Sequence, residues 1–89
     1  MASYNVKIVK SAQKEIRKLP GKDLRNKIVS IIDGLYTNPM PEESKKIKGS
    51  KNIYRIRQGA YRVIYKVEKD ELFVTVIRVR NRKDAYRGM

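Results

Sequence analysis

With 89 residues, the chain has room for one domain and one modest hydrophobic core. Its 22 Lys and Arg against 9 Asp and Glu give a formal charge of +13, a self-repulsion that calls for an anionic partner. No His or Cys is present, which excludes the usual zinc sites and disulfides, and no apolar run approaches the ~20 residues of a membrane span.

The charge is unevenly spread. Met1 to Ser44 carries eight basic and five acidic residues, a net of +3, whereas Lys45 to Met89 carries fourteen and four, a net of +10. A polyanion should therefore meet the C-terminal half, and nucleic acid is the expected partner. The acidic residues are scattered and form no paired magnesium-binding cluster. Any chemistry is then expected to run without metal or cofactor, on Tyr, Arg, Lys or a lone carboxylate. Met1 to Lys10 lacks the apolar run of a secretory signal, so a cytoplasmic protein, away from membranes, is the expectation.

The first element is a strand. Tyr4, Val6 and Ile8 alternate with Asn5 and Lys7 in a period of two, with one face buried. Ser11 stands where a helix N-cap belongs, and Ala12, Ile16 and Leu19 follow at helical spacing until Pro20-Gly21 stops the helix. A second helix is predicted from about Lys22 to Tyr36, with Leu24, Ile28, Ile31, Ile32 and Leu35 forming its apolar stripe. So short a connection makes a helical hairpin with both stripes on one surface. Asn38-Pro-Met-Pro41 ends it and opens a loop through Gly49. Within that loop, Lys45, Lys46 and Lys48 form either a solvated basic segment or a phosphate contact.

Three strands follow: Ile53 to Arg57, Ala60 to Val67, and Leu72 to about Val79. They are separated by turns at Gln58-Gly59 and Lys69-Asp70. Short turns demand antiparallel neighbours, hence a meander. The order strand, helix, helix, three strands predicts an α+β fold with the helices on one face of the sheet. Residues 80–89 are too short and polar for more than a turn of helix.

Alternation along the hairpin predicts a cationic face. A two-residue loop at Gln58-Gly59 sets Arg57 against Ala60 and Arg55 against Arg62, so Arg55, Arg57 and Arg62 share one side. Tyr54, Ile56, Tyr61, Val63 and Tyr65 take the side facing the helices. Like charges directly opposite destabilise a strand pair, so an anion held between them is the expected reason for their presence. Alternation sends Arg78 and Arg80 away from Ile77 and Val79, at a fraying end. Arg82, Lys83, Tyr86 and Arg87 follow beyond it, where Tyr86 either packs or stacks on a base.

Two stretches carry a family resemblance: Lys48-Gly-Ser-Lys-Asn-Ile-Tyr-Arg-Ile-Arg-Gln-Gly-Ala-Tyr-Arg-Val-Ile-Tyr65, and Ile77-Arg-Val-Arg-Asn-Arg-Lys-Asp-Ala-Tyr-Arg87. With the N-terminal Ser-Ala-Gln-Lys-Glu-Ile-Arg-Lys-Leu-Pro, they resemble the RelE family of the RelE/ParE toxins over nearly the whole chain. The resemblance implies a microbial-ribonuclease-like toxin of a type II toxin–antitoxin system. Such a toxin enters the ribosomal A site and cuts messenger RNA there without a metal. The RNA 2′-hydroxyl attacks the adjacent phosphate and leaves a 2′,3′-cyclic phosphate. A RelB-like antitoxin would hold it inactive in a toxin–antitoxin hetero-oligomer.

The resemblance also implies roles. Tyr86 would orient or deprotonate the 2′-hydroxyl, its pKa lowered from ~10 by nearby cations. Arg62 would clamp the scissile phosphate, and Arg82 would steady the leaving 5′-oxygen. Arg55 and Arg57 stand where typical members have two lysines, and would hold flanking phosphates or assist the base. Lys45, Lys46, Lys48, Arg78, Arg80, Lys83 and Arg87 complete the expected RNA contacts. Asn81 replaces a His common among relatives, so no imidazole base is available, and the exchange of Lys for Arg removes a group able to deprotonate. The rival readings are a ParE-like inhibitor of DNA gyrase and a basic module that binds RNA or ribosomes without cutting.

Overall fold

The computed structural model describes residues 3–83. Strand β1 (Asn5–Ile8) leads into helix α1 (Lys10–Arg17) and helix α2 (Lys22–Gly34). Strands β2 (Lys45–Lys46), β3 (Ile53–Gln58), β4 (Tyr61–Glu68) and β5 (Phe73–Asn81) follow. The five strands make one sheet in the order β1-β5-β4-β3-β2, with β1 parallel to β5 and the other neighbours antiparallel. The α+β class and the meander are as the sequence predicts. The short strand β2 is additional: Lys45 and Lys46 leave the predicted loop to pair with Arg55 and Tyr54.

The helix boundaries shift for local reasons. Helix α1 begins at Lys10 with Val9 as its extended N-cap, so Ser11 lies inside the first turn and caps nothing. The cause is the strand before it: Val9 N–H still donates to Val76 O at 3.1 Å, and the chain turns helical at once. Helix α2 starts after Gly21, whose φ of 90° suits glycine. It gives way at Leu35 to tight turns, in which Leu35, Tyr36 and Thr37 N–H bond back three residues.

The stripes pack as their spacing demands. Ala12, Leu19, Ile28, Ile32 and Leu35 meet Ile56, Val63, Tyr65, Val67, Val74, Val76 and Val79 in one cluster beneath the helices. Each buried aliphatic side chain there contributes roughly 1.5–3 kcal/mol of transfer free energy before entropic costs. Tyr54 and Tyr61 line the cluster's margin, and the Tyr54 and Tyr65 rings stack with centroids 6.0 Å apart.

The hairpin register differs from the predicted one. Gln58 pairs with Tyr61 and Arg57 with Arg62, which leaves Gly59-Ala60 as the loop. The first loop position needs a positive φ; Gly59 supplies it at 58°, whereas the predicted loop would ask it of Gln58. Because each pairing moves by two residues, the side chains keep their predicted faces although their partners change.

Strand β5 carries a bulge. Tyr65 pairs with Val76 but Ile64 pairs with Arg78, so Ile77 is the extra residue. Val74, Val76 and Val79 all reach the core, and from Arg78 onward the even-numbered residues face away from the helices. Arg80 is paired with Arg62, and Arg82 N–H donates to Ala60 O at 2.7 Å. The expected fraying at Arg78 and Arg80 is therefore replaced by continued pairing.

Tyr65 is fully buried, and its Oη has no hydrogen-bond partner among the described residues. The nearby Ser44 hydroxyl donates instead to Pro41 O at 2.7 Å. Burial pushes the Tyr65 phenol up to about 12, against a smaller opposing effect of Ser44. A folded-state pKa raised above the ordinary 10.0 adds stability that is complete below pH 10.0 and is lost as pH rises toward about 12. Tyr65→Phe removes the unpaired hydroxyl, so chemical denaturation at neutral pH should show stability unchanged or raised by about 1 kcal/mol. The same variant should flatten the alkaline decline between pH 10.0 and about 12; a loss above about 1 kcal/mol at neutral pH would reveal a bonded hydroxyl.

Candidate nucleic-acid interface

The sheet face turned away from the helices carries the arginines in rows. One row crosses three strands as Arg57, Arg62 and Arg80, and the next reads Lys45, Arg55, Ile64 and Arg78 across four. Arg82 continues the pattern opposite Ala60. The hairpin's tight turn brings Arg57 to Arg62. The bulge at Ile77 then brings Arg78, Arg80 and Arg82 to the same side; without it they would be turned toward the helices.

Within these rows burial differs. Arg57 and Arg82 are exposed, and Arg55, Arg78 and Arg80 are half-buried. Arg62 is only 4% exposed; its Nη1 donates to Tyr61 O at 3.3 Å, and its Nε has no partner among the described residues. A guanidinium so placed retains a buried donor that the described residues leave unmet, a costly state unless an anion takes it. Beside it, Ile64 is fully buried yet stands apart from the helix-side cluster. The face therefore combines desolvation with concentrated positive charge, conditions that strengthen contact with a phosphate.

The remaining sequence-predicted residues divide. Lys45 joins the arginine rows opposite Arg55, whereas Lys46 pairs with Tyr54 on the other side. There it lines a hollow of about 470 Å³ with Lys51, Tyr54, Glu68 and Asp70. Lys48 is exposed in the turn that closes when Ser50 N–H and Oγ donate to Ile47 O. Lys83 is exposed, and its N–H donates to Asn81 Oδ1 at 3.2 Å. Arg80 is ion-paired through Nε with Glu15 Oε2 of α1. Tyr86 and Arg87 lie outside the described residues, as does the predicted helical turn. Sequence reasoning passed over Glu15, which occupies one position in a helix rich in charge and gives no periodic signal. Among the described residues no three His, Cys, Asp or Glu side chains gather to hold a metal ion, and no helix is long and apolar enough to cross a membrane.

A five-stranded sheet with a helical hairpin on one face and cationic rows on the other defines a small, basic α+β protein with one strongly cationic surface. Comparison with known proteins narrows the class. The family described as ParE toxin of type II toxin-antitoxin system, parDE, matches residues 6–86. A putative toxin RelE1 of Methanocaldococcus jannaschii is 37% identical over 88 residues, covering 96% of this chain and 97% of the relative. The crystal structure of the archaeal RelE–RelB complex from Pyrococcus horikoshii superposes with a TM-score of 0.80 at 32% identity, covering 93% of this chain and 99% of that one. The toxin in the intact Escherichia coli RelBE complex does so with 0.76 at 28% identity, covering 89% and 96%. The chain belongs to the RelE family of type II toxin–antitoxin toxins.

Arginines opposed across strands repel, so the fold should gain from screening and more from a specific anion. Raising ionic strength from ~0.01 to ~0.15 M shortens the Debye length from about 30 to 8 Å, and the melting temperature should rise. Sulfate should raise it further than chloride at equal ionic strength, and Arg62→Ala should remove that extra gain. A melting temperature indifferent to both anions would show that the rows hold none.

Proposed function

We propose that this toxin is a ribosome-dependent endoribonuclease that cuts messenger RNA in the ribosomal A site and so inhibits translation. The observation that carries the reading is Arg62: a buried guanidinium whose Nε is unmet among the described residues, flanked across the strands by Arg57 and Arg80. Its similarity to RelE toxins supports the same reading.

The chemistry follows from the residue types. The 2′-hydroxyl of the nucleotide 5′ to the cut attacks its own 3′-phosphate, and the 5′-oxygen of the next nucleotide leaves. The products are a 2′,3′-cyclic phosphate and a 5′-hydroxyl. Arg62 meets the charge that grows on the phosphate oxygens, best done by a planar, permanently charged donor. Arg57, its cross-strand neighbour, and Arg55 hold the phosphates on either side. Arg82 steadies the departing oxygen while water delivers the proton, since a guanidinium rarely yields one. Tyr86 orients or deprotonates the 2′-hydroxyl. With arginines at the positions where relatives carry lysines, and with Asn81 in place of His, the base role falls to Tyr86. Lys45, Arg78, the exposed Lys48 and Lys83, and Arg87 supply sequence-independent backbone attraction.

The RelE neighbours crystallised with RelB support a RelB-like antitoxin as the inhibitory partner, in a hetero-oligomer formed in the cytoplasm. Purified toxin mixed with programmed ribosomes should leave messenger ends confined to the A-site codon and terminating in cyclic phosphate. Arg62→Ala and Tyr86→Phe should each lower the cleavage rate by about 100-fold or more, the scale of losing one transition-state contact or general base, while ribosome binding persists. Intact messenger from a protein that still arrests growth would overturn the proposal, and inhibition of DNA gyrase would then be the activity to measure.

A further inference from the structure

Strand β1 ends at Ile8, opposite Val76, whereas β5 continues to Asn81. Among the described residues, no strand therefore lies beside the outer edge of β5 from Ile77 onward. An edge of this kind leaves backbone donors to be met by something else. At Val79 that something is helix α1: Val79 N–H donates to Glu15 Oε1 at 2.9 Å, and Glu15 Oε2 is ion-paired with Arg80 Nε. One carboxylate thus replaces a strand partner with one oxygen and engages an arginine of the central row with the other. Both side chains are largely shielded, at 20% exposure for Glu15 and 33% for Arg80. A hollow of about 450 Å³ bounded by Glu15, Lys18, Tyr61 and Arg80 lies beside the pair.

We infer that Glu15 is a positioning residue for the arginine face. Its Oε1 fastens β5 beyond the end of β1, which keeps Arg82 opposite Ala60; its Oε2 withholds Arg80 from the cations that meet RNA phosphate. The consequence for cleavage rests on the RNA-cutting reading above, but the fastening of β5 does not. The two oxygens can be separated experimentally. In Glu15→Gln the amide oxygen still accepts from Val79, but the negative charge on Arg80 is gone. In Glu15→Ala both are lost.

The binding probe is a single-stranded RNA oligonucleotide with 2′-O-methyl groups, which cannot undergo 2′-hydroxyl attack. Glu15→Gln should bind it about threefold or more tightly at ~50 mM salt, and its log–log salt slope should steepen by about 0.7, the increment for one phosphate contact on a single strand. Adding Arg80→Ala to that variant should return the slope to the wild-type value. Amide hydrogen exchange at Val79 should stay protected in Glu15→Gln and quicken about tenfold or more in Glu15→Ala. On programmed ribosomes, Glu15→Ala should lose about tenfold in kcat with a smaller change in KM, and Glu15→Gln should recover most of that loss.

A salt slope unmoved in Glu15→Gln overturns the withholding of Arg80. Equal Val79 exchange in Glu15→Ala and wild type overturns the fastening of β5. Should Glu15→Ala fail to fold, the Glu15→Gln slope and its reversal by Arg80→Ala decide the question. If the wild-type protein itself cuts no messenger, the RNA-cutting reading falls, while the Val79 amide still tests Glu15.

Discussion

Strand β5 has to bury valines under the helices along its length and also turn Arg78 and Arg80, and Arg82 just past its end, to the opposite side. Strict two-residue alternation cannot do both, because Val74, Val76, Arg78, Arg80 and Arg82 share one parity. The extra residue Ile77 resolves the conflict by inverting the phase once. Before it, even-numbered residues fill the core; after it, Val79 takes that place and the arginines go outward. The helix-side cluster, the row Arg57–Arg62–Arg80 and the position of Arg82 all depend on this single inversion.

The two sheet faces oppose one another energetically. The helix face gathers apolar side chains, the ordinary source of folding free energy. The other sets like charges against each other and buries a guanidinium whose Nε the described residues leave unmet, both of which subtract from stability. A surface that costs stability and yet is built from opposed arginines on three strands is the kind of compromise found at binding sites, where a ligand supplies what the fold lacks. Glu15 belongs to the same compromise, since it places a compensating charge at the margin of the face and spends its other oxygen on the backbone.

What could be read from the residues was what depends on local period. The alternation of Tyr54, Ile56, Tyr61, Val63 and Tyr65 and the stripe from Leu24 to Leu35 placed the strands, helices and faces. The cationic side of the hairpin survived even though its register did not, because a two-residue shift preserves parity. Features set by contacts distant in sequence were not legible. The bulge at Ile77 satisfies β4, β5 and the helices together, the parallel partner of β1 lies more than sixty residues away, and β2 exists only because β3 offers an edge. Ser11 shows the limit within a single turn: a residue suited to capping lost the position because Val9 was still held in the ladder by Val76. Glu15 was invisible for the same reason, since its partners are contributed by a strand at the other end of the chain.

The pairing of β1 with β5 has a temporal side. The first described strand has its neighbour in the last described one, Asn5 beside Phe73 and Ile8 beside Val76, so a nascent chain can form its helical hairpin early but cannot close this sheet until β5 is available. Closure of so long a loop is entropically expensive and belongs late in folding. Arg78 and Arg80 arrive on that same strand, and Arg82 directly after it. A chain that lacks β5 therefore has neither the finished sheet nor the full cationic face.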